Sequence, residues 1–237
     1  MTNYNVFAKF YDLAMGDRRS HSTIVLKLIA KHNPKSKKIL ELACGTGSIL
    51  KPLSKKYKVY GLDISKGMLD IARGKVPEAV LSSQSMVDFK IAEKFDVIYC
   101  VFDSINHLPA FAQWENVFRN AHKHLNPGGL FIFDMNTQEK LKVISSSLPI
   151  VRNLGKAVMV MAVTPGEKGT TNWDITVFEH MAGNNYRRWD DKAKEISFPV
   201  EKVEAKLKRL YREIKIIPAE KNSFNGEDGR IFFCCKK

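Results

Sequence analysis

The run Ile39-Leu40-Glu41-Leu42-Ala43-Cys44-Gly45-Thr46-Gly47, followed by Val59-Tyr60-Gly61-Leu62-Asp63, combines residue types and spacing that suit a ligand. An apolar run ending in turn residues reads as a buried parallel strand, and the glycines after it let backbone approach a ligand where a Cβ would collide. The segment 48–56 reads as a short helix, which leaves free N–H groups beside the loop. A second strand over 59–62 then ends on Asp63, where a doubly wound fold places an acid against the two hydroxyls of a ribose. These residues describe a site for a nucleotide-type cofactor. A dinucleotide asks for a third glycine three residues after Gly47, and that position is Leu50. Glu41 points the same way, because a carboxylate is repelled by a diphosphate and attracted by a cationic group.

Around these residues helix-like and strand-like patterns alternate along the chain. Helical patterns over 17–31, 48–56, 65–73 (with Ser65 as its cap) and 109–124 are interleaved with strand patterns over 38–43, 59–62, 79–82 and 95–100. The turn Asn126-Pro127-Gly128-Gly129 precedes a further strand over 130–134. Such alternation predicts a parallel sheet with helices on both faces. After Thr137 the pattern changes. Thr171-Asn172-Trp173-Asp174-Ile175-Thr176-Val177-Phe178-Glu179, the turn Gly183-Asn184-Asn185 and a second run over 186–189 predict an antiparallel hairpin insertion. A helix over 200–212, a strand over 213–217 and a closing strand over 229–234 follow.

The strand, acid and Gly-x-Gly pattern resembles motif I of the class I S-adenosylmethionine-dependent methyltransferases, whose cofactor carries a sulfonium and an ammonium group. The resemblance covers most of the chain. It implies an α/β fold with a doubly wound, mostly parallel seven-stranded sheet, an antiparallel last strand and an antiparallel β insertion. The core would comprise 1–137 and 199–237, and 138–198 would form a lid over the acceptor. It implies S-adenosylmethionine as cofactor, with Glu41 organising the loop and Ala43, Gly45 and Gly47 bordering the methionine part. Asp63 would take both ribose hydroxyls, with Ile64 and Met68 near the adenine. Ser85 and Met86 align with the pair that meets the adenine amino group in this family, and either Ser85 or Asp88 would supply the contact. The loop Val101-Phe102-Asp103-Ser104-Ile105-Asn106-His107-Leu108-Pro109 resembles that of the small-molecule members, including the sugar amine N-methyltransferases. There Val101 would border the cofactor and His107 would face the acceptor as a proton acceptor, imidazole being the side chain that titrates near neutrality. Asp103 would orient the acceptor or cap backbone N–H groups. Tyr4, Phe7, Phe10 and Tyr11 recur at helical spacing before Asp12, resembling the family's amino-terminal segment that folds over the cofactor. Tyr11 would reach cofactor and acceptor while Phe7 and Phe10 pack on the core. Trp173, Tyr186, Arg187 and Trp189 either shape the lid or pair across strands.

A chain of 237 residues, 44% apolar, buries a sizeable core. No apolar stretch approaches membrane-spanning length, and Met1-Thr2-Asn3-Tyr4 lacks the order of a signal peptide, so a cytoplasmic enzyme without a membrane partner is expected. Four cysteines without metal-ligand spacing read as reduced, buried side chains, and no metal is expected. The net charge of +13 raises nucleic acid as a partner, yet the lysines are scattered, and those over 202–212 have the spacing of a solvated helix face. A tRNA or rRNA methyltransferase is the alternative enzyme, against which stand the lack of an Asn-Pro-Pro-aromatic element, of a Pro-Cys nucleophile and of an RNA-binding module. A non-catalytic S-adenosylmethionine-binding regulator is the alternative from another class. The favoured expectation is methyl transfer to a nitrogen or oxygen of a small-molecule acceptor.

Overall fold

The computed structural model describes residues 4, 7–16, 18–218 and 229–237. Residues 1–3, read above for a leader, and Asp17, the expected start of a helix, lie outside them. The described chain runs α1 (Ala8–Met15), α2 (Arg19–His32), β1 (Lys38–Leu42), α3 (Leu50–Ser54), β2 (Lys58–Asp63), α4 (Lys66–Lys75), β3 (Val80–Ser83) and β4 (Phe95–Cys100). After a single 3-10 turn, Ser104–His107, come α5 (Phe111–His124), β5 (Leu125–Asn136), α6 (Gln138–Ser145), β6 (Ile150–Asn153), β7 (Ala157–Pro165), β8 (Thr170–His180) and β9 (Tyr186–Ile196). The chain closes with α7 (Val200–Leu207), β10 (Glu213–Pro218) and β11 (Arg230–Lys236).

Seven strands form one sheet in the order β10-β11-β5-β4-β1-β2-β3. The five from β5 to β3 are parallel, whereas β11 runs antiparallel to both β5 and β10. The order reverses between β1 and β4, so the carboxyl ends of those strands open the crevice where such sheets bind ligands. β1 shows why the strand forms: Ile39, Leu40 and Leu42 are wholly buried between helices on both faces. Trp114, Val117, Phe118 and Ala121 put a buried stripe at helical spacing on α5, which packs with Phe131, Phe133 and Phe233 of the sheet. Ser65 caps α4 as expected, its Oγ accepting from the Met68 N–H at 3.2 Å.

Several boundaries differ from expectation. β1 ends at Leu42 because Ala43 turns into the left-handed region, at φ 54°. The loop after β1 consumes Ser48 and Ile49, leaving α3 at 50–54 rather than 48–56. The Asn126-Pro127-Gly128-Gly129 turn is a bulge within β5: Leu125 pairs with Phe95 and Leu130 with Val97. The helix over 200–212 stops at Leu207, followed by a turn that buries Tyr211.

The segment 138–198 holds more than one hairpin. It supplies α6 and a second, four-stranded antiparallel sheet in the order β6-β7-β8-β9. α6 starts where Thr137 Oγ1 accepts the Lys140 N–H. β7 hid in the sequence because Val158, Val160 and Ala162 on its outward side are as apolar as the inward Ala157, Met159, Met161 and Val163. Phe7 and Phe10 of the amino-terminal segment pack on this second sheet, against Met159, Met161, Ile175 and Val177, and not on the core of the larger one. That contact holds α1 against the second sheet, while Tyr11 of the same helix reaches the glycine loop.

Candidate functional site

Where β1 and β2 end, the backbone takes the conformations that the glycines permit. Gly45 and Gly47 have φ of 52° and 74°. The Gly45 N–H donates to Asp63 Oδ2 and the Ser65 N–H to Asp63 Oδ1, both at 2.8 Å. The carboxylate is thus fixed at both oxygens, with lone pairs left for further donors. Burial raises its pKa, against the opposing pull of the Ser65, Gly45 and Ile64 backbone. Ala43, Gly45 and Asp63 line a cavity of about 350 Å³, together with Ile64, Met68, Ser85 and Met86. Gln84, which the sequence reading did not single out, stands on the same wall. Asp88 is exposed and away from it.

Three expected cofactor residues stand behind this wall. Glu41 is buried, and its Oε2 accepts from Tyr99 Oη at 3.1 Å. Burial pushes its pKa well up, while Tyr99 and Arg18 pull it down. Gly47 faces α4: a Cβ there would stand 3.3 Å from Ala72 Cβ and Val76 Cγ2. Val101 is buried with the apolar side chains under the sheet face.

α1 covers the loop. The Tyr11 ring would meet a Cβ on Gly45 at 3.9 Å, and Tyr4 and Tyr11 both line the cavity. Asp12 ties the helix down, its Oδ1 accepting from Thr46 Oγ1 at 2.6 Å and Ser48 Oγ at 2.8 Å, and its Oδ2 from Lys75 Nζ at 2.5 Å. Burial works against that carboxylate, but the three donors win and hold its pKa low. Arg18 is 7% exposed and lies over the rings of Tyr11 and Phe102 at 4.5 and 4.2 Å. Its Nε and Nη2 have no hydrogen-bond partner among the described residues. Two orphaned guanidinium donors beside a glycine loop fit a ligand carboxylate, such as the one on the methionine part of S-adenosylmethionine. Arg18 carried no sequence signal, since its neighbours Asp17 and Arg19 make it read as a solvated charge.

On the other side of the cavity stands the loop after β4. Phe102 and Asp103 both adopt positive φ, 65° and 51°, which turns the chain back toward the sheet. The His107 Nδ1–H donates to the Lys194 carbonyl at 3.0 Å, so the lone pair of the neutral ring sits on Nε2, 3.5 Å from Tyr4 Oη. Asn106, wholly buried, clamps the two sheets together. Its Nδ2 donates to the carbonyls of Asn136 at 3.1 Å and Ile196 at 2.9 Å, and its Oδ1 accepts the Asn136 N–H at 3.0 Å. Asn106→Ala strands these buried backbone groups and is expected to cost about 1–3 kcal/mol of stability in thermal or urea unfolding. An unchanged midpoint would show that the clamp does not couple the sheets.

Asp103 accepts from Asn136 Nδ2 at 2.7 Å and Arg230 Nη2 at 3.0 Å, while Arg230 Nη1 donates to Asp134 at 2.9 Å. Burial opposes ionisation of Asp103, but Arg230, His107 and Asn136 outweigh it and lower its pKa. Glu195 Oε2 accepts the other Asn136 Nδ2 proton at 3.2 Å, and burial with the Asp103 charge pushes its pKa well up. Asn136, Glu195 and Arg230 line the cavity and were missed in the sequence. Strand period offered a signal for one of them, because Glu195 shares the inward face of β9 with buried Ala193.

The remaining walls come from 138–198: Lys140, Ile144 and Leu148 on one side, Arg152, Met161, Val163 and Ile175 on the other. Trp173 also lines the cavity, whereas exposed Tyr186 and Arg187 do not. Trp189 stays outside it as well, its Nε1 donating to Glu179 at 2.8 Å. Among the described residues no group of His, Cys, Asp and Glu has the arrangement of a metal site. The four cysteines are free thiols and buried.

A model of the methyltransferase domain matches residues 39–129, which span β1 to the bulge in β5. Over 132 residues the chain is 33% identical to dTDP-3-amino-3,6-dideoxy-alpha-D-glucopyranose N,N-dimethyltransferase of Streptomyces fradiae, covering 54% of this chain and 52% of that protein. It is 25% identical over 189 residues to dTDP-3-amino-3,4,6-trideoxy-alpha-D-glucopyranose N,N-dimethyltransferase of Streptomyces venezuelae, covering 79% of this chain and 80% of that one. The matches therefore span about half the length of the first relative and four-fifths of the second. An S-adenosylmethionine-dependent methyltransferase structure from Clostridium acetobutylicum superposes with a TM-score of 0.82 at 26% identity, covering 98% of each chain. With the seven-stranded sheet, its antiparallel β11, and a cavity bounded by the glycine loop and Asp63, these likenesses give residues 39–129 the match to a methyltransferase domain and the described fold the form of the class I S-adenosylmethionine-dependent methyltransferases.

Proposed function

We propose that the chain methylates the amine of a small molecule, and that the acceptor is an amino sugar linked to a nucleotide, as named for its Streptomyces relatives. The observation that carries this reading is the cavity itself, which is walled by α1, α6 and the second sheet and holds carboxylates inside. An open basic groove would suit RNA, and +13 of net charge would then be gathered along it. Arg152 and Lys140 on the walls suit an anionic handle such as a diphosphate.

When bound, the cofactor supplies an activated methyl group on a cationic sulfur. In this reading Asp63 accepts from both ribose hydroxyls, Arg18 meets the carboxylate, and Ala43 and Gly45 border the methionine part. Ile64, Met68 and Met86 enclose the adenine, with the Ser85 hydroxyl at its amino group. Glu41, Gly47 and Val101 support the loop from behind. Tyr11 lies over the reacting end, and His107 takes a proton from the incoming amine at Nε2, leaving a free nitrogen lone pair. The segment 138–198 serves as the lid over the acceptor. The buried free thiols suit the reducing cytoplasm.

The test is transfer of labelled methyl to dTDP-3-amino-3,6-dideoxy-alpha-D-glucopyranose and, in parallel, to bulk tRNA. Label in the sugar nucleotide is expected. Association with tRNA is expected to be weak and to collapse as salt rises, as phosphate contacts without readout do. Label in RNA would replace this reading, and cofactor binding with no transfer to any amine would leave a binding protein.

A further inference from the structure

We propose that Glu195 and the side-chain carbonyl of Asn136 receive the ammonium group of the acceptor, so that charge selects an amine over an alcohol of the same shape. The proposal rests on reading the cavity as the acceptor chamber of the methyltransferase described above. Among the described residues around this point, Asp103, Asp134 and Glu195 bring three carboxylates and Arg230 brings one guanidinium. Arg230 spans Asp103 and Asp134. Glu195 is therefore the carboxylate without an ion pair among the described residues: Arg230 acts on it only through its charge, and the neutral Asn136 amide donates to it at 3.2 Å. A carboxyl that is 4% exposed is expensive to ionise there unless a cation arrives.

Asn136 adds a second, independent observation. Its Nδ2 lies against Asp103 and Glu195, both acceptors, which settles which end of the amide is nitrogen. Oδ1 then has no hydrogen-bond partner among the described residues, although Asn136 is 1% exposed and lines the cavity. An ammonium group offers three N–H donors and no lone pair, which suits a carboxylate beside an orphaned carbonyl. A hydroxyl has one proton and leaves one of the two acceptors unpaired. The backbone fixes where this happens. The Lys194 carbonyl is held by His107 and the Ile196 carbonyl by Asn106, so Glu195 is pinned from both sides next to the imidazole that faces the cavity. Tyr4, Tyr11 and Trp173 line the same space with rings whose faces favour a cation.

The probe is a pair of equal shape, cyclohexylamine and cyclohexanol, added to the S-adenosylhomocysteine complex at neutral pH and followed by ligand-observed NMR. Wild type is expected to favour the amine by about tenfold, Glu195→Gln to bring the ratio near one, and Glu195→Asp to retain part of it. S-adenosylhomocysteine affinity and the melting temperature report folding of each variant. If Glu195→Gln does not fold, Asn136→Ala, which removes both the orphaned carbonyl and the donor to Glu195, is expected to lower the ratio as well. A wild type with no preference, or a folded variant that keeps the full one, overturns the proposal and leaves Glu195 as a link between the sheets. Methyl transfer to the sugar nucleotide is scored separately, so a wrong acceptor and a wrong role for Glu195 are told apart.

Discussion

His107→Ala is expected to lower turnover by about 10²-fold or more while leaving S-adenosylhomocysteine affinity nearly unchanged. The ring is oriented by the backbone, because its Nδ1–H donates to the Lys194 carbonyl on β9, and the lone pair on Nε2 is left toward Tyr4 and the cavity. An amine that arrives protonated has no lone pair, and a base aimed at it restores one. Raising the pH should therefore rescue His107→Ala in part, since bulk solvent then deprotonates the acceptor. Tyr11→Phe should follow the same split, with turnover falling more than cofactor affinity. Steady-state rates across pH, paired with calorimetry on S-adenosylhomocysteine, separate these effects. Full turnover with a lowered melting temperature would make His107 a packing residue that ties the 3-10 turn to β9. Catalysis would then rest on proximity and orientation.

Asp63→Ala is expected to weaken cofactor binding by about 1.5–3 kcal/mol, roughly 10- to 150-fold, through loss of a charged acceptor for two hydroxyls. The structure adds a second cost. Asp63 also holds the Gly45 and Ser65 N–H groups, so the variant frees the glycine loop on one side and the start of α4 on the other. Loop order and direct contact can be separated with adenosine and S-adenosylhomocysteine as paired ligands. Adenosine lacks the methionine part, so a loss confined to S-adenosylhomocysteine would indict the loop, and a common loss would indict the ribose contact. Unchanged calorimetric affinity in a folded Asp63→Ala protein would remove Asp63 from the ribose site.

The glycine loop, Asp63 and the alternation of elements around them were legible because they are local. A buried parallel strand, the turn after it and a capped helix each leave their pattern in a few consecutive residues, as β1, Gly45 and the Ser65 cap of α4 show. The larger sheet and one wall of the cavity, including Ala43, Ile64, Met68, Ser85 and Met86, therefore follow from local pattern. Local pattern was weaker where both sides of an element are alike. The apolar outward side of β7 concealed its period, and with it the four-stranded sheet. The opposite wall depends on packing between segments far apart in the chain. Arg18, Asn136, Glu195 and Arg230 come from separate stretches of chain, and packing buries the first three and leaves Arg230 half-buried against its carboxylates. Asn106 joins β5 to β9 across 30 and 90 residues of sequence. A buried polar group is defined by its partners, and those are set by how the two sheets meet and not by its neighbours in the chain.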